Sequence, residues 1–194
     1  MTKVLFSVDL TPILPELTLT VGILILIVID LIKKGRNGVV TATLGAILLG
    51  IVAIVSLSIE IEPGTYLFDS IVSDGMTTFF RVFFSLGAII SLGLMTASFK
   101  DESEPHLLII SSVLGMIFLA MANDIVTLFI AFELVSIPSY ILAGYKRKDV
   151  RSAEAALKYV LFGAVSSGLM LYGFSLLYGL AGTTNIQIMA ANLE

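Results

Sequence analysis

An all-α, polytopic membrane helix bundle is the fold class this sequence predicts, and three observations predict it. Hydrophobic residues make up 57% of the chain and charged residues 13%, with a mean hydropathy of +1.04. Soluble globular domains carry about 25% charged residues. Six apolar stretches are each long enough to cross a hydrocarbon core of about 30 Å, which takes roughly 20 helical residues. The apolar runs are too long, and too little alternating, for the strands of an outer-membrane barrel. The chain therefore reads as one transmembrane domain over residues 1–194, with no stretch between helices long enough to build a soluble core.

The first span covers 13–32. The preceding MTKVLFSVDLTP does not look like a signal peptide, because Lys3 is its only basic residue and an acidic residue and a proline follow. The span is bounded by Glu16 and Asp30, which are expected at the interfaces, and it lacks a small-residue cleavage pattern. The second span covers 39–58. The third, 74–98, carries Arg81 seven residues from Asp74. The fourth, 105–122, opens on His106, the only histidine. With no carboxylates at ligand spacing, His106 is expected to be an interfacial residue rather than a metal ligand. The fifth, 124–144, follows a tight turn at Asn123–Asp124 and carries Glu133 and Pro138. The sixth, 152–180, is long enough to tilt or to run past the interface.

The chain has no cysteine, which removes disulfides, thiolate metal ligands and a cysteine nucleophile. No strand is expected, so no glycine-rich phosphate loop can follow one. Nicotinamide, flavin and iron–sulfur chemistry are therefore not expected in this chain, nor is a bound metal.

With six helices, Lys33, Lys34, Arg36, Lys100, Lys146, Arg147, Lys148 and Arg151 all fall on one side. Lys3 is alone on the other, beside Asp9, Glu60, Glu62, Asp69, Asp74 and Asp124. The positive-inside rule puts the basic loops in the cytoplasm and the N-terminus outside.

Arg81, Glu133 and Lys158 fall inside spans. A charge at the bilayer centre costs at least about 2.5–3.5 kcal/mol, and such residues face a bundle interior or a watery cavity. Glu133 lies nine residues from Asp124 and eleven from Gly144, near mid-membrane. It is either a core carboxyl that fixes packing or a proton relay beside Lys158. Lys158 has a second candidate partner in Glu154, four residues earlier on the same helix face. Pro138 cannot donate to the carbonyl of Leu134, which predicts a kink, either for packing or at a hydrated break beside Glu133. Arg81 either pairs with a carboxylate on another helix or snorkels outward. Gly163–Ser167 and Ala164–Gly168 are small-xxx-small pairs that allow close helix contact.

The stretch FELVSIPSYILAGYKRKDVRSAEAALKYVLFGAVSSGLMLYGFSLLYGLAGTTNI resembles the antiporter-like subunit N, or subunit 2, of proton-pumping NADH–quinone oxidoreductase, respiratory complex I. The photosynthetic NDH complex has a similar subunit. LPELTLTVGILILIVIDLIKKGR and DGMTTFFRVFF carry the likeness over most of the chain. The resemblance implies the first part of an antiporter-like inverted-repeat fold of about fourteen helices, incomplete at the C-terminus, with the seventh helix expected to begin beyond Glu194. It implies that Glu133 and Lys158 belong to a proton relay, with Glu154 and Arg81 as further candidates. The implied partners are other membrane-arm subunits and the lipid bilayer, with no nucleic acid. NADH, FMN, iron–sulfur clusters and quinone are expected in partner subunits. The implied setting is a bacterial inner membrane or a thylakoid-type membrane. A cation/proton antiporter subunit and an inert membrane scaffold are the competing expectations.

Overall fold

The computed structural model describes residues 10–33, 37–59, 62–146 and 148–193. The sequence expectations for Lys3, Asp9, Lys34, Arg36, Glu60 and Arg147 lie outside these residues. Six long apolar helices form the bundle: α1 Leu14–Lys33, α2 Gly38–Ser58, α3 Gly75–Thr96, α4 Glu104–Met121, α5 Ile125–Ala143 and α6 Val150–Ala181. All six are long and apolar enough to cross a membrane, as the composition predicted. The ends are set by local chemistry. Asp74, Asp124 and Asp149 accept from backbone N–H groups at the starts of α3, α5 and α6. Pro105 sits in the first turn of α4, where a missing N–H costs nothing. Gly182 ends α6 at φ 69°, a left-handed position that glycine adopts without a Cβ penalty.

Two features depart from expectation. A small antiparallel hairpin, β1 Gly64–Tyr66 and β2 Ile71–Ser73, joins α2 to α3, although the sequence predicted no strands. Three-residue strands have too little length for an alternating pattern to stand out. A short helix, α7 Ile186–Leu193, also begins before Glu194. Its eight residues cover about 12 Å along the axis.

The predicted tight turn at Asn123–Asp124 is instead an extended junction held from two sides. Asn123 is buried; its N–H donates to Ser70 O at 2.9 Å and its side chain to Asp69 O at 2.9 Å. Its carbonyl accepts from Ile186 N at 2.8 Å. Asn185 Nδ2 also donates to Asp69 O, at 3.1 Å. These bonds gather the hairpin, the α4–α5 junction and the α6–α7 link at one end of the bundle. Leu67, Phe68 and Asp69 all take positive φ, from 51° to 62°. A run of three such non-glycine residues is unfavourable, so the contacts at the Asp69 carbonyl help to hold it.

The core lies within α1–α4. Leu19, Leu49, Leu92, Ile110, Val113 and Ile117 meet there, capped by Ile71 of the hairpin. Large apolar side chains such as Leu24, Val28, Ile54, Phe79 and Ile90 face outward, as lipid-facing positions do. The α5 helix packs on α4 around Gly115. A Cβ there would lie 2.8 Å from Val135 Cγ2 and 3.0 Å from both Ala131 O and the carbonyl carbon of Leu134. Gly115→Leu is therefore expected to push α5 off α4 and destabilise the fold by about 1–3 kcal/mol. A thermal melt of the detergent-solubilised protein checks this.

Candidate functional site

The central carboxylate, Glu133, sits in the middle of the 19-residue α5 and is half-buried. Ser167 Oγ of α6 donates to Glu133 Oε1 at 2.5 Å. A cleft of about 490 Å³ opens beside this pair, lined by Phe129, Tyr140, Ala164 and Gly168 among others. The cleft is open along the exposed face of α6.

The α5–α6 register explains which residues meet. Ser152 Oγ donates to Ala143 O at 2.9 Å, and Ala156 packs on Gly144. Tyr159 meets Tyr140 edge-on at a centroid distance of 4.8 Å, and Ser139 Oγ donates to Tyr159 Oη at 3.1 Å. Tyr140 also packs on Gly163. The partners mirror one another about position 150, as antiparallel neighbours must. Ser167 is therefore level with Glu133, and Lys158 is level with Leu142.

Glu133 and Lys158 are accordingly not brought together. Lys158 lies nine residues from Ser167, about 13 Å along α6. Its Nζ pairs with Glu154 Oε1 at 2.5 Å, with both side chains exposed. This is the local i,i+4 alternative that the spacing allowed.

Pro138 is also set apart from Glu133. It is buried within an unbroken α5, and five residues at 100° each leave it about 140° around the helix from Glu133. Leu134, whose carbonyl Pro138 cannot serve, backs onto Gly115 of α4. The freed carbonyl thus belongs to the α4–α5 seam rather than to a hydrated break in the Glu133 cleft.

Gly163 sets the width of this cleft. A Cβ on Gly163 would fall 2.0 Å from Tyr140 Oη and 2.5 Å from its Cζ. Gly163→Ala is expected to displace the Tyr140 ring into or away from the cleft and to cost about 1–3 kcal/mol. Tyrosine fluorescence together with thermal stability checks it.

Arg81 resolves to pairing rather than snorkelling. It is fully buried, with Nε 2.6 Å from Glu16 Oε1 and Nη2 3.1 Å from Oε2. Nη2 also donates to Pro12 O at 2.6 Å and lies 3.6 Å from Met121 Sδ. Glu16, expected at an interface, is instead 2% exposed. Its depth is near the helix end, but its carboxylate turns inward to the guanidinium. The signal that could have found this pair is depth. Glu16 and Arg81 lie in the N-terminal thirds of two helices that run in the same direction. Ser167 was legible only as a small packing residue. Asp30, also expected at an interface, is half-buried, and its Oδ1 has no hydrogen-bond partner among the described residues. His106 is fully buried rather than interfacial. Its Nδ1 is 3.0 Å from Glu102 O and its Nε2 is 3.4 Å from Thr96 Oγ1.

Comparison with known proteins agrees with this architecture. The family model described as "NADH:quinone oxidoreductase/Mrp antiporter, TM" matches residues 122–194. NADH-quinone oxidoreductase subunit N of Chlorobium chlorochromatii is 37% identical over 187 residues, covering 93% of this chain and 36% of that protein. The subunit N of Beijerinckia indica is 40% identical over 188 residues, covering 93% and 39%. A chain of respiratory complex I from Thermus thermophilus, solved with bound aureothin, superposes with a TM-score of 0.76 at 26% identity. It covers 89% of this chain and 38% of that one. A chain of the archaeal membrane-bound sulfane sulfur reductase shares the fold, with a TM-score of 0.69 at 18% identity. The resemblance drawn from the sequence is borne out: this chain is a bundle of long apolar helices similar to NADH-quinone oxidoreductase subunit N over nearly all of its own length and under two fifths of the subunit's.

Proposed function

We propose that this chain is part of a proton-translocating membrane-arm subunit of an NADH–quinone oxidoreductase, with Glu133 as a proton-carrying station. The observation that carries this is a carboxylate at mid-span, hydrogen-bonded by Ser167, in a cleft between two spans. A membrane-embedded carboxyl that only fixed packing would have no use for a cleft beside it, because ionisable groups at this depth are costly. In the ionised form, Glu133 accepts a proton from cleft water and becomes neutral. It returns the proton to water when the surrounding charge changes.

Electron transfer in partner subunits supplies that change of charge. NADH, FMN, iron–sulfur clusters and quinone belong to those partners, and further antiporter-like helices cover the open face of α6. Glu154 and Lys158 form an ion pair that sits closer to the basic side than Glu133, outside the cleft, as a second station of the relay. The basic loops face the cytoplasm and the N-terminus faces outward. Arg81 and Glu16 hold the outer half of the bundle together and do not exchange protons. A second reading, a cation/proton antiporter subunit, is favoured by the family description, which joins the two kinds of protein.

A tagged version of the native protein that contains this chain distinguishes the two. Co-purification with NADH–quinone reductase activity that is coupled to proton translocation is the expected result. Cation-driven proton exchange without quinone reduction would overturn the proposal in favour of the antiporter.

A further inference from the structure

Helical serines and threonines in this chain mostly return their hydroxyl proton to their own helix. Thr20, Ser56, Ser91, Ser111, Ser136 and Ser166 each donate to the carbonyl four residues earlier. Ser167 does not. Its hydroxyl crosses to α5 and donates to Glu133 Oε1. Ser166, beside it on the same helix, donates to Phe162 O. Ser152 and Ser139 also reach across the α5–α6 seam, to Ala143 O and Tyr159 Oη, but among the described residues of that seam Ser167 is the one that meets a carboxylate. Two other positions of α6 at that level, Ala164 and Gly168, are small and line the cleft.

We propose that Ser167, rather than Lys158, is the positioning residue for Glu133. This rests on the reading of Glu133 as a proton carrier. With Oε1 engaged by the Ser167 hydroxyl, Oε2 is the oxygen left to meet water. Protonation then forms the Oε2–H bond at the expense of an O–H bond in a hydronium or a water chain. Deprotonation reverses this, and the Ser167 hydroxyl keeps its proton throughout. Lys158 cannot take this role without crossing about 13 Å of helix, and its ammonium is engaged by Glu154.

The test uses the assembled membrane enzyme that contains this chain, carrying Ser167→Ala, Ser167→Thr and Glu133→Gln in turn. Infrared difference spectra identify the Glu133 carboxyl and carboxylate bands by their loss in Glu133→Gln. A hydrogen bond to a charged group is worth enough that its loss slows proton exchange about tenfold. Ser167→Ala is expected to shift the Glu133 band and slow exchange by that factor, and Ser167→Thr to restore both. An unshifted Glu133 band in Ser167→Ala overturns the positioning role, whatever the pumping rate. Unchanged pumping in Glu133→Gln would sink the proton-carrier reading separately, and the band shift would still decide whether Ser167 positions the carboxylate.

Discussion

Arg81→Ala is expected to destabilise the protein by about 3–5 kcal/mol, the largest effect of any single substitution outside the Glu133 cleft. The reason is asymmetric. Glu16 would remain 2% exposed in the bundle interior with no cation to face, and Pro12 O would lose its donor. Taking ions out of water costs several kcal/mol each, and only the partner's attraction offsets it. The intact pair is therefore weak evidence of net stabilisation, whereas half of it is strongly unfavourable. The double variant Glu16→Gln/Arg81→Met removes both charges and is expected to recover most of the loss. Thermal unfolding of the purified single and double variants measures this coupling. A double variant no better than Arg81→Ala alone would mean that the guanidinium acts through packing, not charge.

Glu133→Gln is expected to have the largest effect on function while leaving the fold intact. Glutamine keeps the shape and can still accept from Ser167, so the α5–α6 seam should persist. It cannot exchange a proton. Moving one charge against 100 mV costs about 2.3 kcal/mol, and one unit of change in proton affinity corresponds to about 1.4 kcal/mol. Proton translocation by the assembly should therefore fall while the bundle's melting temperature stays within a few degrees.

The bundle itself was legible in the sequence because the bilayer imposes one rule, a long apolar run per span, and α1 to α6 each obey it. The hairpin and α7 obey no such rule. Their residues are held by Asn123, Asn185 and the Asp69 carbonyl, contacts between segments up to 116 positions apart that no local pattern reveals. Glu133 was legible because a mid-span carboxylate stands out against Leu, Val and Ile. Its partner was not. Counting depth from either end of the α5–α6 hairpin allowed Lys158 to reach toward Glu133. The register, which depends on where α6 starts and on how Gly144 packs against Ala156, selects Ser167 instead. Pro138 misled for a related reason. Closeness in sequence to Glu133 suggested a shared site, whereas the helix turn sends the two to different neighbours. Glu16 was placed by depth alone, which says nothing about whether a side chain faces lipid headgroups or the bundle interior.

The measurement that tests the central claim most directly is the number of protons moved per electron by the intact assembly in sealed vesicles, wild type against Glu133→Gln. The two are compared at equal quinone-reducing turnover. A lower ratio in the variant, with assembly and stability unchanged, is the result expected if Glu133 carries protons through the α5–α6 cleft. An unchanged ratio with unchanged turnover would contradict it, and would leave the Glu133–Ser167 contact as a packing device between two membrane helices.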